Sequence, residues 1–178
     1  KILKELKKDL LELSNKLDDV LKDDKDIIKI AKDIYNKDDM FFLGRGIDYP
    51  VAMEGSLKLK EISYIHSEAY SAGELKHGPI ALIDDGFPVI SLITDKNLAE
   101  KTISNVQEVI SRGAKTIIIT NQELNKSFDY VITIPKTNKY ISPILSVIPL
   151  QLLSYYVAKE KKLDVDKPRN LAKSVTVE

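Results

Sequence analysis

The sequence predicts a three-layer α/β/α domain on a five-stranded parallel sheet, preceded by an N-terminal helical arm. Three observations predict it. From residue 40 onward, short β-rich runs alternate with helical ones, the pattern of a parallel sheet covered on both faces. Two of those runs, Val89-Ile90-Ser91-Leu92-Ile93 and Thr116-Ile117-Ile118-Ile119, are too continuously apolar for a half-solvated strand and suit the centre of such a sheet. The charge is concentrated at one end, since residues 1–39 hold 21 charged side chains and the remaining 139 residues only 33.

Within the arm, Leu3, Leu6, Leu10, Leu13, Leu17 and Val20 fall on one stripe of a helix. So short a heptad run is better read as a helix laid across its own domain than as a free coiled-coil seam. A second helix, about residues 26–36, repeats the pattern with Ile27, Ile30, Ala31 and Ile34. The strands are expected at Met40–Leu43, His66–Tyr70, Pro88–Thr94, Lys115–Thr120 and Tyr130–Ile134, with helices at about 50–63, 97–112 and 143–161. Pro50 and Pro143 suit first helical turns, Asp48 and Ser142 suit the caps before them, and Gly113 suits the exit of the middle helix. The expected division is a helical segment at 1–39, the α/β domain at 40–163 and a tail at 164–178.

Composition narrows the function. The 178 residues amount to about one domain at ~150 residues each. The 27 basic and 27 acidic side chains cancel, so no overall field favours nucleic acid or an anionic membrane. With no cysteine, a disulfide framework, a thiolate metal site and a cysteine nucleophile are all excluded. No run approaches the ~20 apolar residues of a membrane span, and the first residues lack a signal-peptide core, so a soluble, cytoplasmic protein is expected. The chain opens on Lys1 rather than Met, as a piece of a longer protein would.

Ligands of open parallel sheets bind at the carboxyl ends of the strands, so the turns there come first. Leu43-Gly44-Arg45-Gly46 offers a tight turn before a helix, but the third glycine of a dinucleotide fingerprint would fall at Tyr49. That turn suits a ligand loop or an ordinary strand-to-helix connection equally. Glu54, Lys58 and Glu61 share one face of the next helix, and by spacing alone they are a common surface ion-pair pattern. Of the two histidines, His66 opens a strand and reads as structural, whereas His77 sits in the polar loop Gly73-Glu74-Leu75-Lys76-His77-Gly78-Pro79. Neither is near other candidate ligands in sequence, so no metal site is expected. A polar tail usually frays, yet Ser174-Val175-Thr176-Val177 is β-prone, and docking would bring Lys173, an amine capable of Schiff-base chemistry, to the domain surface.

Four blocks carry a resemblance beyond spacing. They are Phe42-Leu43-Gly44-Arg45-Gly46, the run from Glu54 to His66 (EGSLKLKEISYIH), the run from Gly73 to Pro79 (GELKHGP) and the run from Lys167 to Glu178 (KPRNLAKSVTVE). In this order they resemble the second sugar isomerase (SIS) domain of the glutamine:fructose-6-phosphate aminotransferase, or glucosamine-6-phosphate synthase, family. The resemblance implies a part in converting fructose 6-phosphate and glutamine to glucosamine 6-phosphate and glutamate, without a cofactor. It makes Glu61 the carboxylate that moves a proton between C1 and C2. It makes Lys173 the Schiff-base amine at the C2 carbonyl, His77 a ring-opening group supplied by the neighbouring subunit of a homodimer, Lys58 a support for Glu61 and the substrate, and Ala172 a backbone contact to the sugar.

The departures matter equally. The family's glutaminase domain, with its N-terminal cysteine, has no counterpart in these residues, nor does the first SIS domain with its Ser/Thr-rich phosphate loop. The turn corresponding to that loop reads Asp95-Lys96-Asn97-Leu98. The chain alone is therefore expected to bind sugar phosphate poorly and to turn over little or nothing. Two alternatives remain: a non-catalytic SIS module that senses a phosphosugar, and a purely structural dimerisation domain.

Overall fold

The computed structural model describes residues 2–171. In chain order it contains α1 (Ile2–Lys22), α2 (Lys25–Ile34), β1 (Asp39–Gly44), α3 (Asp48–Ser63), β2 (His66–Ser71), two 3-10 turns (Glu74–His77 and Pro79–Leu82), β3 (Pro88–Ile93), α4 (Ala99–Ile110), β4 (Lys115–Thr120), β5 (Tyr130–Thr133) and α5 (Ser142–Glu160). The five strands form one sheet in the order β2-β1-β3-β4-β5, and every neighbouring pair is parallel. All five expected strands are present within a residue or two. β3, the middle strand, is buried along its whole length, as its unbroken apolar run requires.

Alternation along the strands divides the core in two. Met40, Phe42, Ile90, Leu92, Ile117 and Ile119 face α2, α3 and α5. Phe41, Leu43, Val89, Ile93 and Ile118 face α4 and the segment containing the 3-10 turns. The leucine stripe of α1 is used only in its second half. Leu13 and Leu17 pack on the first core and Val20 is buried in it, whereas Leu3 and Leu10 stay exposed.

Because every strand is parallel, each chain connection must return across the sheet. α3 and α5 make that return side by side, at close range where they pass Gly55. A Cβ there would lie 2.6 Å from Leu150 Cδ1. Their starts are pinned to the carboxyl end of β3. The buried Asp48 carboxylate, 3% exposed, accepts the backbone N–H of Thr94 at 2.8 Å and its hydroxyl at 2.5 Å, and Thr94 Oγ1 lies 3.1 Å from Ser142 Oγ.

This arrangement corrects the expectation that Asp48 and Ser142 cap their helices. Both are first helical residues, and neither α3 nor α5 has a side-chain cap. Their oxygens bond Thr94 at the strand end instead, where an unpaired buried N–H would cost about 1–3 kcal/mol. Gly113 does close the exit of α4, at φ +86°, with its N–H on Ile110 O.

Burial raises the Asp48 pKa above its ordinary 3.8, and the Thr94 hydrogen bonds only partly offset this. Between that value and the raised one, the unfolded chain has lost its proton while the folded chain keeps it, so stability falls as pH rises. Asp48→Ala should cost about 2–3 kcal/mol at neutral pH in a urea titration, since two buried Thr94 groups lose their acceptor. Asp48→Asn should cost less, and the stability advantage of the parent over it should shrink as pH rises from 4. A parent-minus-Asn difference that grows with pH over that window would contradict this account.

Candidate functional site

The residues singled out by sequence do not gather where parallel sheets usually bind ligands. A cleft of about 700 Å³ does open at the carboxyl edge, between Thr94–Asn97, Asn121–Glu123 and Lys136–Lys139. Among the described residues, none of Glu61, His77 or Lys58 lines it. The glycine turn after β1 is occupied by its own chain: Gly44 has Asp48 backbone atoms 2.5 Å from where a Cβ would stand, and Arg45 reaches past Gly73 to Asn105 Oδ1 at 3.1 Å. Of the two readings of that turn, the structure fills the connecting one.

α3 carries its polar triad to the opposite edge. Asp48 fixes the helix start at the carboxyl edge, and thirteen further residues at 1.5 Å each place Glu61 roughly 20 Å away, where β2 begins. There Lys58 Nζ donates to Glu61 Oε2 at 2.6 Å and lies 3.7 Å from Glu54 Oε1. The Lys58 and Glu61 side chains are 32% and 27% exposed, so the pair is half-buried and still open on one side. The hydrogen bond to the Glu61 carboxylate raises the Lys58 pKa above its ordinary value, which keeps the ammonium charged beside the carboxylate. The arrangement is a carboxylate aligned by a fixed cation, suited to holding and moving a proton once water is kept away.

The chain after α5 arrives at the same place. Arg169 donates its backbone N–H to Tyr64 Oη at 2.8 Å, and its guanidinium lies 4.1 Å from the centre of the Tyr64 ring. Tyr64 ends α3 with its N–H on Lys60 O, in the left-handed conformation at φ +60°, ψ +18°. Glycine is the usual occupant of that position, and a tyrosine there costs about 1 kcal/mol or more. Asn170, next to Arg169, is also left-handed at φ +61° and turns the tail. Ala172 and Lys173 lie outside the described residues.

His77 is elsewhere. It follows the carboxyl end of β2 in a 3-10 turn whose Leu75 is buried in the core on the α4 face, and the adjacent Lys76 pairs with Glu108 of α4 at 2.6 Å. The histidine is 74% exposed, on the opposite edge and the opposite face from Glu61. His66 sits at the start of β2 with Nδ1 2.5 Å from Asp39 Oδ1 across the strand pair, consistent with a structural role. Among the described residues, no cluster of three or more His, Asp or Glu side chains could hold a metal ion, and no helix is long and apolar enough to cross a membrane.

Sequence reasoning missed Tyr64. Its one signal was negative: no glycine follows α3, so some other residue had to end the helix there.

Known proteins agree with this architecture. The SIS domain family profile matches residues 33–160. The glutamine--fructose-6-phosphate aminotransferase [isomerizing] of Clostridium tetani is 59% identical over 179 residues, covering 99% of this chain and 29% of that protein. The protein of the same name from Pseudomonas putida is 52% identical over 177 residues, covering 98% and 29%. The chain thus spans under a third of the length of these curated relatives.

Among solved structures, the C-terminal domain of glucosamine-fructose-6-phosphate aminotransferase from Francisella tularensis superposes with a TM-score of 0.81 at 44% identity, over 88% of this chain and 46% of that one. The glucosamine-6-phosphate deaminase of Thermotoga maritima superposes with a TM-score of 0.64 at 29% identity, over 88% of this chain and 48% of that one. With its profile, its relatives and its doubly covered parallel sheet in agreement, the chain belongs to the SIS domain family.

Proposed function

We propose that this chain is the sugar-isomerising part of a glutamine:fructose-6-phosphate aminotransferase, working in the cytoplasm as half of a homodimer and joined to a glutaminase domain and a first SIS domain. The observation that carries the proposal is the Lys58–Glu61 pair at the end of α3 with the tail anchored one turn beyond it. The division at residues 1–39, 40–163 and 164–178 separates the helical segment, the SIS domain and the active-site tail.

In this reading the Lys173 amine attacks C2 of the open-chain fructose 6-phosphate and water leaves, giving a Schiff base that ammonia displaces. The Glu61 carboxylate then takes a proton from C1 and returns one to C2, converting ketose to aldose with no net proton consumed. Lys58 holds Glu61 in place, and its positive charge lies beside the carboxylate and the sugar. Ala172 contacts the sugar through its backbone. His77 opens the sugar ring in the partner's site, since its own Glu61 lies across the sheet.

Three measurements test the reading, the first two on a chimera in which this chain replaces its counterpart in the Clostridium tetani relative. Glu61→Gln should lower glucosamine 6-phosphate formation about a thousandfold, within the range of general-base loss, and Lys173→Ala should abolish it. Turnover at the parent rate in both variants sinks the assignment. Mixing two inactive chimeras, His77→Ala and Lys173→Ala, should restore measurable activity, because mixed dimers then contain one intact site; no recovery would place His77 in its own subunit's site or outside catalysis. Calorimetry of the isolated 178-residue chain should show no binding of fructose 6-phosphate in the low micromolar range, since the phosphate loop belongs to the other SIS domain.

A further inference from the structure

The end of α3 is built in a way that helix termination alone does not require. A glycine would end the helix without strain, and the tail could cross this edge without touching residue 64. Instead Tyr64 occupies a left-handed backbone position, accepts the Arg169 N–H on its hydroxyl and stacks its ring under the Arg169 guanidinium. These are two independent contacts to one residue of an otherwise polar, turn-rich segment. They join positions 105 apart in sequence.

We infer that Tyr64 is a positioning residue, which clamps the tail at Arg169 so that Lys173 is delivered to the substrate held at Glu61. The inference rests on the function proposed above and adds a residue to it. Tyr64 stands three residues after Glu61, and Lys173 stands four residues after Arg169. Four residues of extended chain reach at most about 14 Å between Cα atoms, so an anchor at Arg169 leaves Lys173 on a far shorter free tether than the thirteen residues that separate it from the end of α5 at Glu160. A free tail would spread that amine through a far larger volume and lose the orientation on which Schiff-base formation depends.

The test uses the same chimera with Tyr64→Gly, Tyr64→Phe and Arg169→Ala. The readouts are kcat, KM for fructose 6-phosphate, melting temperature and the borohydride-trapped sugar adduct measured by intact mass. Tyr64→Gly suits the left-handed backbone and should melt within about 2 °C of the parent, while kcat and the trapped adduct fall about a hundredfold, the scale of a misplaced reacting group. Tyr64→Phe keeps the stacked ring and loses the acceptor, so its kcat should fall about tenfold. KM should change little in both, because the phosphate is bound elsewhere.

Parent-level kcat and adduct in Tyr64→Gly overturn the clamp. Should Tyr64→Gly melt far below the parent, Tyr64→Phe combined with Arg169→Ala decides, since together they remove both the hydrogen bond and the stacked cation while a ring still ends the helix. An adduct at parent level there also overturns the clamp. Lys173→Ala separates the two levels of inference: full activity in that variant removes the functional reading itself, whereas an inactive Lys173→Ala beside an unaffected Tyr64→Gly removes only the clamp.

Discussion

The placement of α3, and with it of the Lys58–Glu61 pair, depends on one buried carboxylate. Asp48 ties the first residue of α3 to the end of β3 through the Thr94 amide and hydroxyl, and Thr94 in turn meets Ser142 at the start of α5. Three elements are fixed at one point of the sheet edge. The cost is a desolvated acid, visible in the raised pKa of Asp48, and two short hydrogen bonds offset it. From that point the geometry is determined by helix rise. α3 and α5 contain 16 and 19 residues, about 24 and 28 Å of helix, whereas a six-residue strand spans about 20 Å. Both helices therefore reach the far edge of the sheet, where Leu59 and Val157 still face the core while outward positions such as Lys60 and Lys159 are exposed.

Glu61 and Tyr64 stand at that edge in partly exposed positions, which explains how a carboxylate can be both rigid and accessible. Leu59, one residue from Lys60 and two from Glu61, is fully buried and fixes the rotation of the helix. The same rotation leaves Lys58 and Glu61 half in solvent, close enough to bond each other. The placement departs from the usual expectation for parallel sheets, in which ligands meet the carboxyl ends of strands. The carboxyl-edge cleft exists here, but the Lys58–Glu61 pair to which proton transfer is assigned in our proposal is at the other end of the helix.

The fold was legible because burial leaves a strong trace. A strand covered on both faces, such as Val89–Ile93, has no polar face to break its run, and the other strands were legible to within a residue or two as short β-rich runs between helical ones. Asp48 and Ser142 were misread because a cap and a tertiary acceptor use the same residue types. Only the fold decides which partner wins. Glu61 was not legible from periodicity, since a lysine and a glutamate three apart decorate countless surface helices. It emerged from the resemblance of whole blocks of sequence. Tyr64 escaped both approaches, because a backbone in a left-handed conformation is invisible when the residue is not glycine.

The separation of His77 from Glu61 also says what one copy of the chain can do. The two residues lie on opposite edges and opposite faces of a sheet whose centre is packed with Ile90, Ile117 and Ile118, so no loop movement short of unfolding brings them together. Within one copy, the imidazole near the α3 terminus is that of His66, already paired with Asp39, so the composite site proposed above draws His77 from another copy. Conversely, His77 is exposed beside Gly78, which leaves it free to meet groups outside its own chain as the proposed composite site requires. In the homodimer proposed above, closed two-fold symmetry would turn one half-site on each edge into two complete sites, since each contributed histidine is matched by a received one.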